Sequence, residues 1–412
     1  MNGRIRRFFL IFIIYGTMMI FGLLENIKGV SYPLIKTEFD ASYEQQGLLV
    51  SLLSYSYVFF CLVAGFFLAR FGVKRAFLSG FVCCLLGLGA VFFMPGYWTV
   101  MAALLLVYAG FGFFEVGVNA LATQVFTAKA ALLMSLLHFF YGAGAIIGPK
   151  AAGILIGRGG FTWKETYLIA IPLVLLFFIP ALPIRFPGAS RETADEPGKT
   201  PGPEGEAPEK PISFAGALKN PMVWAFAVTL GLMEVVEFSS ANWGGLYFQD
   251  VYGLDPRTAG ANFISNFYIL FTLSRLVSGF AIEKIGYMRC LFIASFATVL
   301  VYALGFAAGP RGIYVLPVLG FFIAIMWPTI MAVAMGHFGS QSAVLTSAII
   351  VLSGALNAAV QLLIGLTNRL IGAAWGYRSC ILYALLMIGA LILLRRRMAR
   401  TKPHKLDAKG TS

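Results

Sequence analysis

Charge is what this sequence has least of. Only 12% of its 412 residues are Asp, Glu, Lys or Arg, about half the share of an ordinary soluble domain. That leaves too little polar surface to enclose the two or three soluble domains expected of such a length. Histidine is nearly as scarce: His138, His337 and His404 are scattered, and none sits in an HExxH motif or beside a GxSxG elbow. A membrane-embedded enzyme would need such a nucleophile or metal set, so the chain reads as a non-enzyme without cofactor or metal. The five cysteines (Cys61, Cys83, Cys84, Cys290, Cys380) fall inside apolar runs with no CxxC or His/Cys ligand spacing, so neither a disulfide framework nor a zinc site is supported.

Apolar residues, by contrast, make up 59% of the chain. Stretches long enough to cross a roughly 30 Å hydrocarbon layer recur twelve times, at about 8–35, 45–68, 76–94, 98–122, 131–157, 166–185, 222–248, 259–282, 290–308, 313–335, 343–366 and 377–394. The start, MNGRIRR followed by the apolar run from Phe8 to Leu24, has no small-residue cleavage site after it and reads as an uncleaved first span rather than a signal peptide. The segment 187–213, rich in Pro, Gly and acidic residues without apolar periodicity, reads as a flexible linker. The organisation expected is a six-helix bundle over 1–186, the linker over 187–213, a second bundle over 214–398 and a tail over 399–412.

A net charge of +13 would suggest a polyanionic partner in a soluble protein. Here the basic residues sort by loop. With the N-terminus inside, 21 of the 31 lie in inner loops and tails, 7 lie in outer loops, and Lys28, Lys150 and Arg275 lie within spans. The positive-inside rule therefore predicts a multi-pass membrane protein with both termini cytoplasmic, and the excess is no nucleic-acid footprint.

The loop after the second span reads GFFLARFGVKR (Gly65 to Arg75), and the loop after the eighth reads GFAIEKIGYMR (Gly279 to Arg289). Gly65 pairs with Gly279, Arg70 with Lys284, Gly72 with Gly286 and Arg75 with Arg289, each pair 214 residues apart. One offset at four typed positions makes the second half a copy of the first. Two six-span halves, a polar linker and this loop twice resemble the major facilitator superfamily, whose fold is all-α: twelve transmembrane helices in two six-helix bundles. The resemblance implies that the loop's acid latches the cytoplasmic side; the second copy has Glu283 there, whereas the first has Ala69. Four further runs, GFGFFEVGVNAL (Gly110 to Leu121), LLHFFYGAGAIIGP (Leu136 to Pro149), EFSSANWGGLYFQD (Glu237 to Asp250) and GFFIAIMWPTIMAVA (Gly320 to Ala334), resemble the fucose/glucose/galactose:proton symporter branch. That likeness places the branch's coupling acids on Glu115 and Glu237.

Seven ionisable residues lie within spans: Glu25, Lys28, Glu115, Lys150, Glu234, Glu237 and Arg275. Facing lipid, each would cost roughly 2.5–3.5 kcal/mol or more, so they should face a cavity or one another. A carboxyl in a partly dry cavity can hold and release a proton near neutral pH, the chemistry of a coupling residue, and Glu115, Glu237 and Glu25 are the candidates. Glu25 and Lys28, three apart, are also spaced to pair with each other. Glu237 and Asn242, five apart, lie about 140° around a straight helix, and would converge only if the chain unwinds near Gly244 and Gly245. Candidate substrate contacts are Asn119, Tyr141, Asn242, Asn266, Asn357 and Gln361 as amides and phenol for hydroxyl groups, Trp243 and Trp327 as apolar faces, and Lys150 as a counter-charge. The amides equally suit interhelical hydrogen bonding.

These features predict a proton-coupled transporter of a sugar or similar polar solute. The alternatives are a carrier of a small organic anion, with Lys150 or Arg275 as counter-charge, or an exporter of amphiphiles, as the resemblance of the stripe Gly144, Gly148, Pro149 and Gly153 to the superfamily's antiporter motif implies. The expected partners are the substrate, protons and the lipid bilayer, with the chain acting as a monomer.

Overall fold

The computed structural model describes residues 3–126, 130–187, 213–339 and 342–400. The linker, apart from its two end residues, the last residues of the tail and Lys129 lie outside these. Among the described residues twelve helices are long and apolar enough to cross a membrane: span 1 (Arg4–Glu38), span 2 (Tyr43–Phe71), span 3 (Val73–Phe93), span 4 (Tyr97–Val125), span 5 (Leu133–Gly157), span 6 (Trp163–Ala181), span 7 (Pro221–Tyr252), span 8 (Pro256–Phe280), span 9 (Tyr287–Ala307), span 10 (Gly309–Phe338), span 11 (Val344–Ile371) and span 12 (Ala373–Arg400). No strand occurs among the described residues.

Local signals set the helix ends. Ser42 and Thr162 cap spans 2 and 6 through reciprocal boxes with Gln45 and Glu165, and Asn220 caps span 7 ahead of Pro221 at its first turn, as helix N-termini require. The repeated loop also acquires a physical reason. Gly72 and Gly286 join spans 2 to 3 and 8 to 9 with φ of 83° and 87°, a backbone region in which a Cβ is strained. Both tight turns thus depend on the glycine found at the same offset in each half.

Two spans depart from simple rods. Span 1 is interrupted at Ile27, between a helix Gly3–Asn26 and a helix Lys28–Glu38. Span 10 is built from short helical pieces, with 3-10 turns at Gly309–Arg311 and Leu316–Val318 before the final helix Met326–Phe338. Span 7, in contrast, stays helical from Pro221 to Tyr252, so the unwinding at Gly244 and Gly245 does not occur. Those glycines instead let neighbours approach: a Cβ on Gly244 would overlap the Phe263 ring, and one on Gly245 would stand 2.6 Å from the Gly29 carbonyl oxygen.

Exposed apolar side chains such as Phe66, Phe93, Phe280 and Leu370, each about 70% or more exposed, cover the outside of the bundle, as a chain solvated by lipid requires. Where helices touch, small residues set the distance. Gly22, Gly144 and Gly148 lock span 1 against span 5, because a Cβ at any of them would overlap backbone of the partner helix. Gly112 does the same between spans 4 and 2, where a Cβ would lie 2.8 Å from the Tyr57 carbonyl oxygen.

Candidate functional site

The break at Ile27 leaves Glu25 and Lys28 on either side of it, both buried, with Lys28 Nζ 3.2 Å from Glu25 Oε1. The other carboxylate oxygen of Glu25 accepts a 2.5 Å hydrogen bond from the Tyr141 hydroxyl of span 5. The glycine contacts between spans 1 and 5 put Tyr141 there. Glu25 is therefore neutralised within its own helix and anchored to the next. The Lys28 ammonium stands 5.5 Å from the centroid of the Phe238 ring on span 7, which brings it to the boundary between the two halves.

Glu115 is held differently. Asn119 donates to its Oε1 at 3.1 Å and to its backbone carbonyl at 2.7 Å, and Tyr57 of span 2 stands beside it, one turn beyond the close approach at Gly112. No cation lies within 4.0 Å of the Glu115 carboxylate among the described residues. In the second half, Glu234 accepts from the Ser353 hydroxyl of span 11 at 3.1 Å and has Trp327 as a neighbour. Glu237, one turn on, makes no ion pair with a described residue; Arg275, Glu25 and Lys28 act on it through space. Arg275 of span 8 stands over Phe271, 4.5 Å from the ring centroid. Its field reaches Glu115 and Glu237 alike, and its Nε is buried without a hydrogen-bond partner.

Six of the seven intramembrane ionisable residues therefore share one region between the halves, and Lys150 does not. It is exposed, on the stripe that carries Ile147 and Ile154. Asn266 is likewise exposed and shares its side of span 8 with Ile269, Leu273 and Phe280, away from Arg275.

The amides of the second half bind one another. Gln361, fully buried, accepts from Trp243 Nε1 at 2.8 Å and from Asn242 at 3.4 Å, and donates to Asn357 at 3.0 Å and to the Ser239 hydroxyl at 3.2 Å. This network ties span 7 to span 11 in the present conformation. Trp327 is partly exposed beside Glu234. Sequence reasoning missed Tyr57 and Phe271, which carry no signal beyond helical spacing from other aromatics.

Polar contacts between the halves gather at the end away from the termini. Asp250 accepts from the Tyr43 hydroxyl at 2.7 Å and lies 3.4 Å from Lys36, Gln249 donates to Thr37 at 3.2 Å, and Arg369 pairs with Glu44. Gly47 and Gly365 cross back to back, with a Cβ on either meeting the other at about 3 Å. At the opposite end Arg70, Glu283 and Lys284 are exposed. Among the described residues these polar contacts between the halves lie at one end, and the first-half loop is held to its own bundle, Lys74 donating to the Leu182 and Ile184 carbonyls at 2.6 and 2.9 Å.

Twelve membrane helices in two halves that meet around buried, incompletely paired charges are the architecture of a multi-pass membrane transport protein. The sequence profile described as Major Facilitator Superfamily matches residues 8–362, and the chain belongs to that family of multi-pass membrane transporters. Among curated relatives, the L-fucose-proton symporter of Escherichia coli (strain K12) is 22% identical over 363 residues, covering 78% of each chain. A glucose/galactose transporter of Brucella abortus is 23% identical over 334 residues, again covering 78% of each. Among solved structures, the E. coli fucose:proton symporter superposes with a TM-score of 0.62 at 16% identity, over 94% of this chain and 98% of that one. The nucleoside transporter NupG gives 0.74 at 12% identity, over 96% and 100%. A bacterial homolog of the human lysosomal transporter Spinster, in an inward-facing and unoccupied conformation, gives 0.71 at 12% identity, over 97% and 99%.

Proposed function

We propose that the protein is a proton-coupled symporter of a sugar or similar small polar solute, working by alternating access. The observation that carries this reading is the pairing of roles between the halves: Glu115 from the first half and Glu237 from the second share one region around Arg275, and neither is neutralised by a cation within 4.0 Å among the described residues. Glu25 is already satisfied by Lys28 and Tyr141 and serves as a structural pair. A carboxyl left without a permanent counter-ion in a low-dielectric site is poised to exchange a proton, and its charge state then decides whether the halves can close over it. Asn119 beside Glu115, Tyr141 beside Glu25 and Trp327 beside Glu234 contact the solute. Asn242, Trp243, Asn357 and Gln361 reach it only as spans 7 and 11 rearrange.

The end that carries the polar contacts between the halves faces outward in this reading, since the count of basic residues, 21 against 7, puts both termini in the cytoplasm. The repeated loops, with Arg70, Arg75, Glu283 and Arg289, come together when the cytoplasmic end closes. The chain acts as a monomer in the cell membrane. The test is substrate-dependent proton movement in proteoliposomes holding a pH-sensitive dye, screened over hexoses and deoxyhexoses. Sugar uptake that is indifferent to an imposed pH gradient would overturn the coupling.

A further inference from the structure

Arg275 lies in the region between the halves that also holds four carboxyl groups, and it pairs with none of them among the described residues. Glu25 is taken by Lys28 and Tyr141, Glu115 by Asn119, and Glu234 by Ser353. Glu237 reaches Arg275 only through space. The guanidinium carbon stands 4.5 Å from the Phe271 ring centroid, a cation–π contact that holds the group without using up its N–H donors. Its Nε–H is shut off from solvent and has no acceptor, an arrangement that costs free energy until something completes it. Lys150, the other free cation suggested by the sequence, is on the exposed side of span 5.

We infer that Arg275 is the binding group for a carboxylate on the transported solute, so that the preferred substrate is an acidic sugar or similar polyhydroxy acid rather than a neutral hexose. The inference rests on the proton-symport reading above and extends it through the charge of the cavity. Lys28 and Glu25 cancel. When Glu115, Glu234 and Glu237 all hold protons and His138 of span 5, the other titratable group near Arg275, is uncharged, Arg275 leaves the site with one positive charge, and a solute carboxylate neutralises it through two parallel N–H to oxygen bonds. When those acids lose their protons the site becomes negative and repels the same solute. Proton loading therefore precedes anion binding, and deprotonation on the far side expels the anion. The alternative role for Arg275, a shuttle between Glu115 and Glu237 in different conformations, predicts equal dependence of acidic and neutral sugars on it.

The experiment uses the full-length protein in detergent and in proteoliposomes, with D-galacturonate and D-galactose as probes that differ only in a carboxylate against a hydroxymethyl group. Galacturonate is expected to bind about tenfold or more tightly than galactose, as gained charge-assisted bonds imply. Arg275→Gln is expected to weaken galacturonate by about tenfold or more, and Arg275→Lys, which keeps the charge but not the fork, by less. The melting temperature of each variant without ligand reports whether it has folded, and the Lys variant decides the matter where the Gln variant has not. Galacturonate binding that is absent, no tighter than that of galactose, or unaffected in both variants would overturn the inference. Proton movement driven by galactose and indifferent to Arg275 would overturn it while leaving the symport reading intact. Galacturonate flux dependent on Arg275 but without proton movement would do the reverse.

Discussion

Lys36 of span 1 and Asp250 of span 7 face each other at 3.4 Å across the boundary between the two halves, and the Tyr43 hydroxyl donates to the same carboxylate oxygen at 2.7 Å. Two residues from the first half thus converge on one from the second, at the end of the bundle far from both termini. For access to alternate, this junction must break. Its side chains are only about one-fifth exposed, so water screens the pair less than it would a surface ion pair.

Asp250→Asn removes the charge and keeps the shape. A contribution of about 1–2 kcal/mol from charged hydrogen bonds corresponds to roughly a tenfold shift in the ratio of latched to open states. Spin labels at Arg158 and Arg311, placed in a background freed of native cysteines, should show longer distances between the halves in the Asn variant. Unchanged distance distributions would mean that the Gly47–Gly365 crossing and the Arg369–Glu44 pair hold this end without Asp250.

The glycines at helix crossings should be far less tolerant than those on open faces. A Cβ at Gly144 overlaps the Met19 carbonyl, whereas one at Gly89 meets nothing within 4 Å. Gly144→Val should therefore destabilise by about 1–3 kcal/mol and move Tyr141 off Glu25, while Gly89→Ala stays within about 0.5 kcal/mol of the parent. Melting in detergent, followed by tryptophan fluorescence, distinguishes the two.

Gln361 joins four side chains of spans 7 and 11 and is shut off from solvent. Gln361→Leu should cost roughly 1–3 kcal/mol, because it strands the Trp243 and Asn242 donors and the Asn357 acceptor. A melting temperature equal to that of the parent would show that these groups find other partners.

Lys150→Met should leave uptake kinetics within about twofold of the parent, as expected for an exposed position away from the site. A large rise in KM would return Lys150 to the binding site.

Much of this was legible in the sequence, and the illegible parts have physical causes. The twelve spans and the repeat could be read because lipid imposes length and apolarity on every crossing. The two glycines of the repeated loop could be read as a pattern, but their role in positive-φ turns appears only in the backbone. The Glu25–Lys28 pair follows from a three-residue spacing. The face on which a polar residue sits was less accessible, although the helical period held some of the information. Lys150 lies two positions, about 200°, from Gly148, and Asn266 nine positions, about 180° in phase, from Arg275; once Gly148 and Arg275 are taken to face inward, the other two must face out. The expectation that Gly244 and Gly245 unwind span 7 gave way to close packing, because a glycine permits either outcome and Phe263 and Gly29 fill the space. The distal junction was counted only as outer-loop charge, since its partners are more than 200 residues apart in sequence.

Glu115→Gln in proteoliposomes tests the central claim most directly. The amide cannot carry the proton but keeps the size and the bond to Asn119, so equilibrium exchange of labelled substrate should persist while accumulation driven by a pH gradient is lost. Gradient-driven accumulation by the Gln variant equal to that of the parent would contradict the account.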